Sequence, residues 1–271
     1  MEGLAAVVDP GDVGQLSGAV LCDVRWYLDG RSGREAYEAG HIPGAVFVDL
    51  DADVTASPSA GSGRHPLPPA GDFADALGAL GIGPDDTVVA YDDSGGMSAG
   101  RLVWMLRVLG QEAALLDGGL QAWDGPIESG STTRPAVDCP VRPWPDGAFA
   151  TIDEVARHAA SGIVLDARSP ERFSGEAESV DPRPGHVPGA RNAPFTANLD
   201  EGRFRSPDDL RDHYASLGVT DAADVVAYCG SGVSACHDLL AMEHAGLGRG
   251  RLYVGSWSQW SATDRPAATG A

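Results

Sequence analysis

Short apolar runs alternate along the chain with stretches that carry apolar residues at helical spacing. The second half shows this most clearly. Gly162-Ile163-Val164-Leu165-Asp166 is a short, continuously apolar run, which predicts a buried strand. Ser206-Pro207-Asp208-Asp209 predicts a helix start, with Ser206 as N-cap and Pro207 at the first helical position. That helix is expected to run to about Leu217 and to stop at Gly218. Asp224 to Tyr228 predicts a second buried strand. A Gly- and Ser-rich turn follows, then a helix from about Ala235 to Ala245, closed by Gly246. Arg251 to Val254 predicts a third strand. Strands that are apolar throughout, separated by helices, imply a parallel sheet covered by helices on both faces. The fold class is α/β.

The pattern is written twice. Leu21-Cys22-Asp23-Val24-Arg25 resembles Leu165-Asp166-Ala167-Arg168, pairing Asp23 with Asp166 and Arg25 with Arg168. Gly40-His41-Ile42-Pro43-Gly44-Ala45 matches Gly185-His186-Val187-Pro188-Gly189-Ala190. Val88-Val89-Ala90-Tyr91-Asp92-Asp93-Ser94-Gly95 matches Val225-Val226-Ala227-Tyr228-Cys229-Gly230-Ser231-Gly232. Asp117 to Trp123 matches Val254 to Trp260. The order is preserved, and the period is far longer than a solenoid unit, so whole domains are repeated. The expected organisation is an N-terminal domain over 1–124, a linker over 125–147 and a C-terminal domain over 148–271. The linker contains Pro126, Pro135, Pro140, Pro143 and Pro145, a composition that predicts a semi-rigid spacer.

Composition narrows the chemistry. The 271 residues include 19 arginines, no lysine and 39 acidic residues, for a net charge of −20. Without lysine there is no Schiff-base chemistry and no Walker-A phosphate site. The acidity argues against nucleic acid and against an anionic membrane surface as partners. The start of the chain lacks a basic region before an apolar run, and no stretch approaches ~18 apolar residues, so neither a leader nor a membrane span is expected. Four cysteines, Cys22, Cys139, Cys229 and Cys236, are too sparse for a disulfide scaffold. Reduced thiols in the cytoplasm are the expectation.

Cys229 directly follows a predicted strand, and Gly230-Ser231-Gly232-Val233-Ser234-Ala235 leads from it into a helix. In open parallel sheets, sites form beyond the carboxyl ends of strands. The glycines let successive N–H groups converge, and the helix N-terminus adds its positive dipole end. Such a cradle favours a thiolate or a bound anion. Cys22, Cys139 and Cys236 take the ordinary reading of small packed side chains. A zinc site from Cys229, Cys236, His237 and His244 fits no standard spacing. A cysteine phosphatase needs arginine six residues after the cysteine, where this chain has Ala235.

The ordered motifs resemble the tandem-domain rhodanese-like sulfurtransferases over essentially the whole chain. The match rests on Asp166-Ala167-Arg168, Gly185 to Ala190, the loop Cys229 to Ala235, and Gly255-Ser256-Trp257. The resemblance implies two tandem rhodanese-like domains, each a parallel sheet flanked by helices on both faces. It implies a C-terminal catalytic cysteine that forms a persulfide, with no cofactor and no metal. Asp92 stands at the position equivalent to Cys229, so the N-terminal domain is expected to be catalytically inactive. The loop, with no basic residue after Cys229, reads like that of the mercaptopyruvate-preferring members; thiosulfate-preferring members with cyanide as acceptor are the alternative. A non-enzymatic persulfide carrier or redox sensor is a second alternative.

By the same resemblance, Arg172 and Arg183 hold the donor carboxylate and carbonyl, and the loop residues Gly230, Gly232, Val233, Ser234 and Ala235 line its site. Ser231, His65 and Asp51 form a proton relay beside Cys229, partly from the first half, with Asp49 and Asp53 as alternatives to Asp51. A small anionic donor, a thiophilic acceptor such as thioredoxin, glutathione or cyanide, and a monomeric state complete the expectation. Asp23, Arg25, Asp166, Arg168, His41 and His186 occur in both halves, although only one half has a cysteine, so they are read as scaffold. Val254 replaces the aspartate usual in the family's last motif, which predicts a lost polar contact near the loop.

Overall fold

The structure, a computed structural model, describes residues 3–16, 18–59 and 61–270. Met1 and Glu2, with which the stretch read for a leader begins, lie outside the described residues. The chain forms two compact units. The first comprises Met1–Ala56, Leu67–Trp144 and Glu201–Arg203; the second comprises Ser57–Pro66, Pro145–Asp200 and Phe204–Ala271. The excursion of Ser57–Pro66 into the second unit was not visible in the sequence.

In the first unit, β1 (Val7–Val8), β2 (Val20–Asp23), α1 (Gly33–Ala39), β3 (Val46–Phe47), α2 (Ala70–Ala79), β4 (Val88–Tyr91), α3 (Ala99–Val108) and β5 (Ala113–Leu116) follow one another. The sheet is parallel, in the order β1-β5-β4-β2-β3. Every residue of β4 and β5 is buried, as a strand covered on both faces requires. Each large apolar side chain so buried contributes roughly 1.5–3 kcal/mol. The proline-rich stretch after Gly125 is not a free spacer for most of its length. Thr132 N–H donates to Tyr37 Oη (2.9 Å), Val137 N–H to the Gly78 carbonyl (3.0 Å) and Trp144 Nε1 to the Pro68 carbonyl (2.8 Å). Gly78 permits this approach, because a Cβ there would stand 2.6 Å from the Val137 carbonyl oxygen.

The second unit runs α4 (Ile152–His158), β6 (Ile163–Asp166), α5 (Pro170–Ser174), β7 (Arg191–Asn192), α6 (Pro207–Ser216), β8 (Val225–Tyr228), α7 (Ser234–His244), β9 (Arg251–Leu252) and α8 (Ser256–Trp260). Its sheet is again parallel, ordered β9-β8-β6-β7. The α6 N-cap is Ser206, whose hydroxyl accepts from Asp209 N–H, with Pro207 inside the first turn. The strand predicted over 251–254 ends two residues early. Tyr253 N–H still reaches the Ala227 carbonyl (2.9 Å), but the chain then bends into α8 through Ser256 at φ 51°.

The repeated motifs make the same bonds in both units. Arg25 pairs with Asp23 and Arg168 with Asp166, each at 2.6 Å and buried. The same guanidinia also donate to the carbonyls of Gly40 and Gly185, both at 2.7 Å. A buried ion pair needs its remaining donors satisfied, and these carbonyls do so. His41 stacks on Tyr37 and His186 on Phe173, and each imidazole Nδ1 bonds the carbonyl of the residue it stacks on. Tyr91 and Tyr228 hydroxyls accept from Ile42 and Val187 N–H. These residues are scaffold.

The loop after β4 is closed by a side chain. The fully buried Asp92 carboxylate accepts from Ser94 and Gly96 N–H at one oxygen, and from Ser98 N–H, Ser98 Oγ and Ala99 N–H at the other, all within 3.0 Å. Charge-assisted bonds of this kind are the strong ones, and removing the acceptor strands several buried donors. Asp92→Ala is expected to cost about 3 kcal/mol in urea denaturation of the intact chain. A loss below about 1 kcal/mol would show that water or backbone rearrangement satisfies the loop equally well.

Candidate active site

Cys229 follows β8 as Asp92 follows β4, and it opens a loop in which Gly230, Ser231, Gly232 and Val233 are all buried. Gly232 has φ 80°, a conformation that turns its N–H back onto Cys229 Sγ at 3.1 Å. The loop ends at the N-terminus of α7, whose dipole favours negative charge there. Cys229 itself is 2% exposed. Cys236, in the first turn of α7, is fully buried, and its Sγ–H donates to the Gly232 carbonyl (3.4 Å). It supports the loop from below, in keeping with a packed rather than reactive thiol.

The backbone of Cys229 is held by the last motif. Its N–H donates to Ser256 Oγ (3.2 Å), which in turn donates to the Tyr253 carbonyl (2.9 Å). Trp257 and Ser258 N–H donate to the carbonyls of Cys229 and Gly230 at 2.9 and 2.8 Å. Ser256 is fully buried at positive φ, a costly conformation for a residue with a Cβ, held in place by these bonds. Polar support for the loop thus comes from residues 256–258, where the sequence reading looked to position 254. Trp257 is fully buried, and Arg168 lies 4.9 Å over its ring, so the motif is tied to the Asp166–Arg168 pair.

His65 stands 2.7 Å from Ser231 Oγ, through Nδ1. The tautomer sets the direction of this bond. Both residues are buried, and both belong to the second unit. The segment that carries His65 is fastened to α8: Arg64 N–H donates to Ser258 Oγ (3.1 Å), and Gln259 Nε2 donates to the Gly61 carbonyl. Gly63 fits there because a Cβ would stand 2.6 Å from the Gly255 carbonyl oxygen. Asp51 lies in the first unit, where its carboxylate accepts from Trp26 Nε1 (2.9 Å).

The two arginines of the sequence reading part company. Arg172, in α5, approaches the loop: a Cβ on Gly230 would lie 3.3 Å from its Nη1. Arg183 is committed elsewhere. Its Nε and Nη2 donate to the carbonyls of Ser261, Trp260, Thr263 and Arg265, capping the end of α8, and its own carbonyl accepts from Trp257 Nε1. The physical reason is the one that makes arginine useful anywhere, since a planar fork satisfies several carbonyls at a helix end. The second guanidinium at Gly230 is that of Arg64, whose Nη2 would stand 2.9 Å from the same Cβ. Its only sequence signal was adjacency to His65.

Arg64 and Arg172 share the Asp181 carboxylate, and Arg172 also pairs with Glu178 at 3.1 Å. Burial pushes the Glu178 carboxyl up, but the Val180 and Asp181 amides and the Arg172 guanidinium outweigh it and hold it below the usual value. Asp238, fully buried in α7, is pushed well up by burial despite a bond from Asn198, with Cys229 and Asp166 adding to the effect. Among the described residues, no cluster of three or more His, Cys, Asp or Glu side chains is placed to hold a metal ion, and no helix is long and apolar enough to cross a membrane.

Comparison with known proteins agrees with this geometry. The rhodanese-like domain matches twice, over residues 12–125 and 151–263. The chain is 43% identical to the probable 3-mercaptopyruvate sulfurtransferase of Pseudomonas aeruginosa, over 93% of this chain and 92% of that protein. It is 38% identical to the putative thiosulfate sulfurtransferase SseB of Mycobacterium tuberculosis, over 98% and 95%. Among solved structures, SseA from Escherichia coli, described in a work on 3-mercaptopyruvate sulfotransferases, superposes with a TM-score of 0.81 at 30% identity, covering 94% of this chain and 99% of that one. A double match of this extent, on a loop built around Cys229, places the chain in the rhodanese family, with two rhodanese-like domains in tandem.

Proposed function

We propose that the protein is a sulfurtransferase that takes a sulfane sulfur from 3-mercaptopyruvate and passes it to a thiophilic acceptor through a Cys229 persulfide. The observation that carries this reading is the convergence on one loop of Cys229 Sγ, two guanidinia at Gly230 and the His65–Ser231 pair. In the first half-reaction the Cys229 thiolate forms an S–S bond to the donor sulfur. The donor C–S bond breaks and leaves its electron pair on carbon, as the enolate of pyruvate. That carbon requires a proton, and a hydroxyl hydrogen-bonded to an imidazole can supply one. Ser231 and His65 are assigned this role, with Asp51 as the carboxylate partner that the family resemblance gives His65. In the second half-reaction the acceptor attacks the outer sulfur and Cys229 leaves as thiolate. Two half-reactions with a covalent intermediate make a ping-pong cycle.

The donor carboxylate is assigned to Arg172, with Arg64 in the place that the sequence reading gave Arg183. Gly230, Gly232, Val233, Ser234 and Ala235 supply the loop amides. The first domain, with its cradle filled by Asp92, is assigned no sulfur chemistry. The boundaries 1–124, 125–147 and 148–271, a monomeric state, a cytoplasmic location and thioredoxin, glutathione or cyanide as acceptor belong to the same proposal. Sulfurtransferase relatives support a sulfur donor and a thiol acceptor in general.

Intact-mass analysis after brief exposure to 3-mercaptopyruvate is expected to show one added sulfur, absent in Cys229→Ser. Loading from thiosulfate alone would move the assignment to the thiosulfate type; loading from neither would favour a carrier or sensor. Arg172→Ala is expected to raise KM for mercaptopyruvate by about tenfold, and to raise it less for thiosulfate. Equal effects on both donors would remove the carboxylate clamp. His65→Ala is expected to lower kcat about a hundredfold, which steady-state pyruvate release would measure; an unchanged kcat would end the relay.

A further inference from the structure

The two guanidinia at Gly230 are not empty-handed. Asp181 lies in the irregular turn between α5 and β7, followed by the exposed Pro182. Its carboxylate takes one oxygen to Arg64 Nη1 and the other to Arg172 Nη2, the latter at 2.8 Å. The Asp181 side chain is 1% exposed, bonded to Arg64 and Arg172 side chains that are 31% and 23% exposed. The carboxylate therefore sits between the same two arginines that crowd Gly230 and would receive a donor anion next to Cys229.

Charge balance sharpens the point. Arg64, Arg168 and Arg172 face Asp166, Glu178 and Asp181, so this cluster of linked ion pairs carries no net charge with every carboxylate ionised. An incoming monoanion finds no unneutralised cation unless one carboxylate gives way. Asp166 is locked bidentately to Arg168, and Glu178 is fixed by two amides as well as by arginine. The Asp181 carboxylate is held by the two guanidinia alone among the bonds seen at its oxygens. Burial also pushes the Asp181 carboxyl above its usual value, an effect that Arg64 opposes, Glu178 reinforces and Arg172 opposes. It is the carboxylate of the three most readily released.

We propose that Asp181 is an internal stand-in for the donor: it occupies the carboxylate position between Arg64 and Arg172 in the empty protein, yields to the donor on binding, and returns to displace the product. This rests on the clamp assigned under Proposed function. The apparent donor affinity is then the intrinsic affinity reduced by the fraction of time the clamp stands open. The same exchange keeps two half-buried guanidinia paired at every stage, where an unpaired one would be costly.

The test is titration calorimetry with pyruvate, the 2-oxo carboxylate product, on the full chain carrying Cys229→Ser, so that no sulfur transfer is needed. Asp181→Asn in that background is expected to tighten pyruvate binding by about tenfold. Unchanged or weaker binding would show that Asp181 positions the arginines rather than competing for them, and would overturn the inference. Should the variant fail to fold, the Cys229→Ser parent gives a second readout. A displaced Asp181 loses Arg64 and Arg172, the two guanidinia that hold its carboxyl down, so pyruvate binding at mildly acidic pH is expected to take up a fraction of a proton. That uptake is measured in buffers of different ionisation enthalpy, and it is expected to persist in His65→Gln. No uptake would equally overturn the proposal. Failure of mercaptopyruvate to load the wild-type protein, with Asp181→Asn still tightening pyruvate, would instead fault the functional reading and leave the clamp.

Discussion

Converging backbone N–H groups at the end of a buried parallel strand demand an acceptor, and the first half of this protein answers that demand with a carboxylate. The strand residues Val-Val-Ala-Tyr are fully covered in each unit, so the loop that follows begins in a dry environment. There, unsatisfied donors cost the full desolvation of each group. In the first unit the Asp92 carboxylate meets the requirement with five bonds. In the second, Cys229 Sγ stands at the equivalent place with the Gly232 amide on it. The buried Asp–Arg pairs, the stacked histidines and the motif at 255–258 brace the strand ends so that these amides stay convergent.

Around the second loop the arginines are already paired with carboxylates of the chain. A chain of net charge −20 gains nothing from long-range attraction of anions. Its cationic groups at the site are all arginines, and each forks onto carboxylates already present. Buried or half-buried charge is tolerated in this form because no ion is left unpaired. Under the proposed exchange, donor binding trades one carboxylate for another on the same guanidinia, and selectivity rests on which anion satisfies the fork better than the resident one.

Much of this was legible in the sequence because it is local. The strand–loop–helix signal at Cys229, the Ser206 cap and the Asp-x-Arg turns each depend on residues a few positions apart. The matched histidines make the same stack and the same carbonyl bond in the half without the cysteine as in the half with it. What stayed hidden depends on chain segments far apart in sequence. Arg183 and Arg64 are both arginines in loops, and only the fold turns one onto the end of α8 and the other onto Gly230. The packing of Ser57–Pro66 against α8 rests on Gly63 and on bonds spanning about two hundred residues, for which no periodicity exists. Ser256, whose hydroxyl holds the cysteine backbone, looked like one letter of a motif until its positive φ and two bonds were seen.

The two loops also explain each other. Counting bonds from Cβ, the oxygens of Asp92 stand where the outer sulfur of a persulfide on Cys229 would stand, one atom beyond the thiol sulfur. The donors that meet Asp92 are at Ser94, Gly96, Ser98 and Ala99, which the repeat aligns with Ser231, Val233, Ala235 and Cys236. The bare thiol, one atom shorter, meets the amide of Gly232. In the first unit the Asp92 side chain itself fills the loop and satisfies its donors. Of the aligned amides in the second loop, that of Cys236 donates to the Val233 carbonyl (3.0 Å), where its counterpart at Ala99 donates to Asp92. The same strand–loop turn is therefore filled by a carboxylate in one unit and left to a thiol, one atom shorter, in the other.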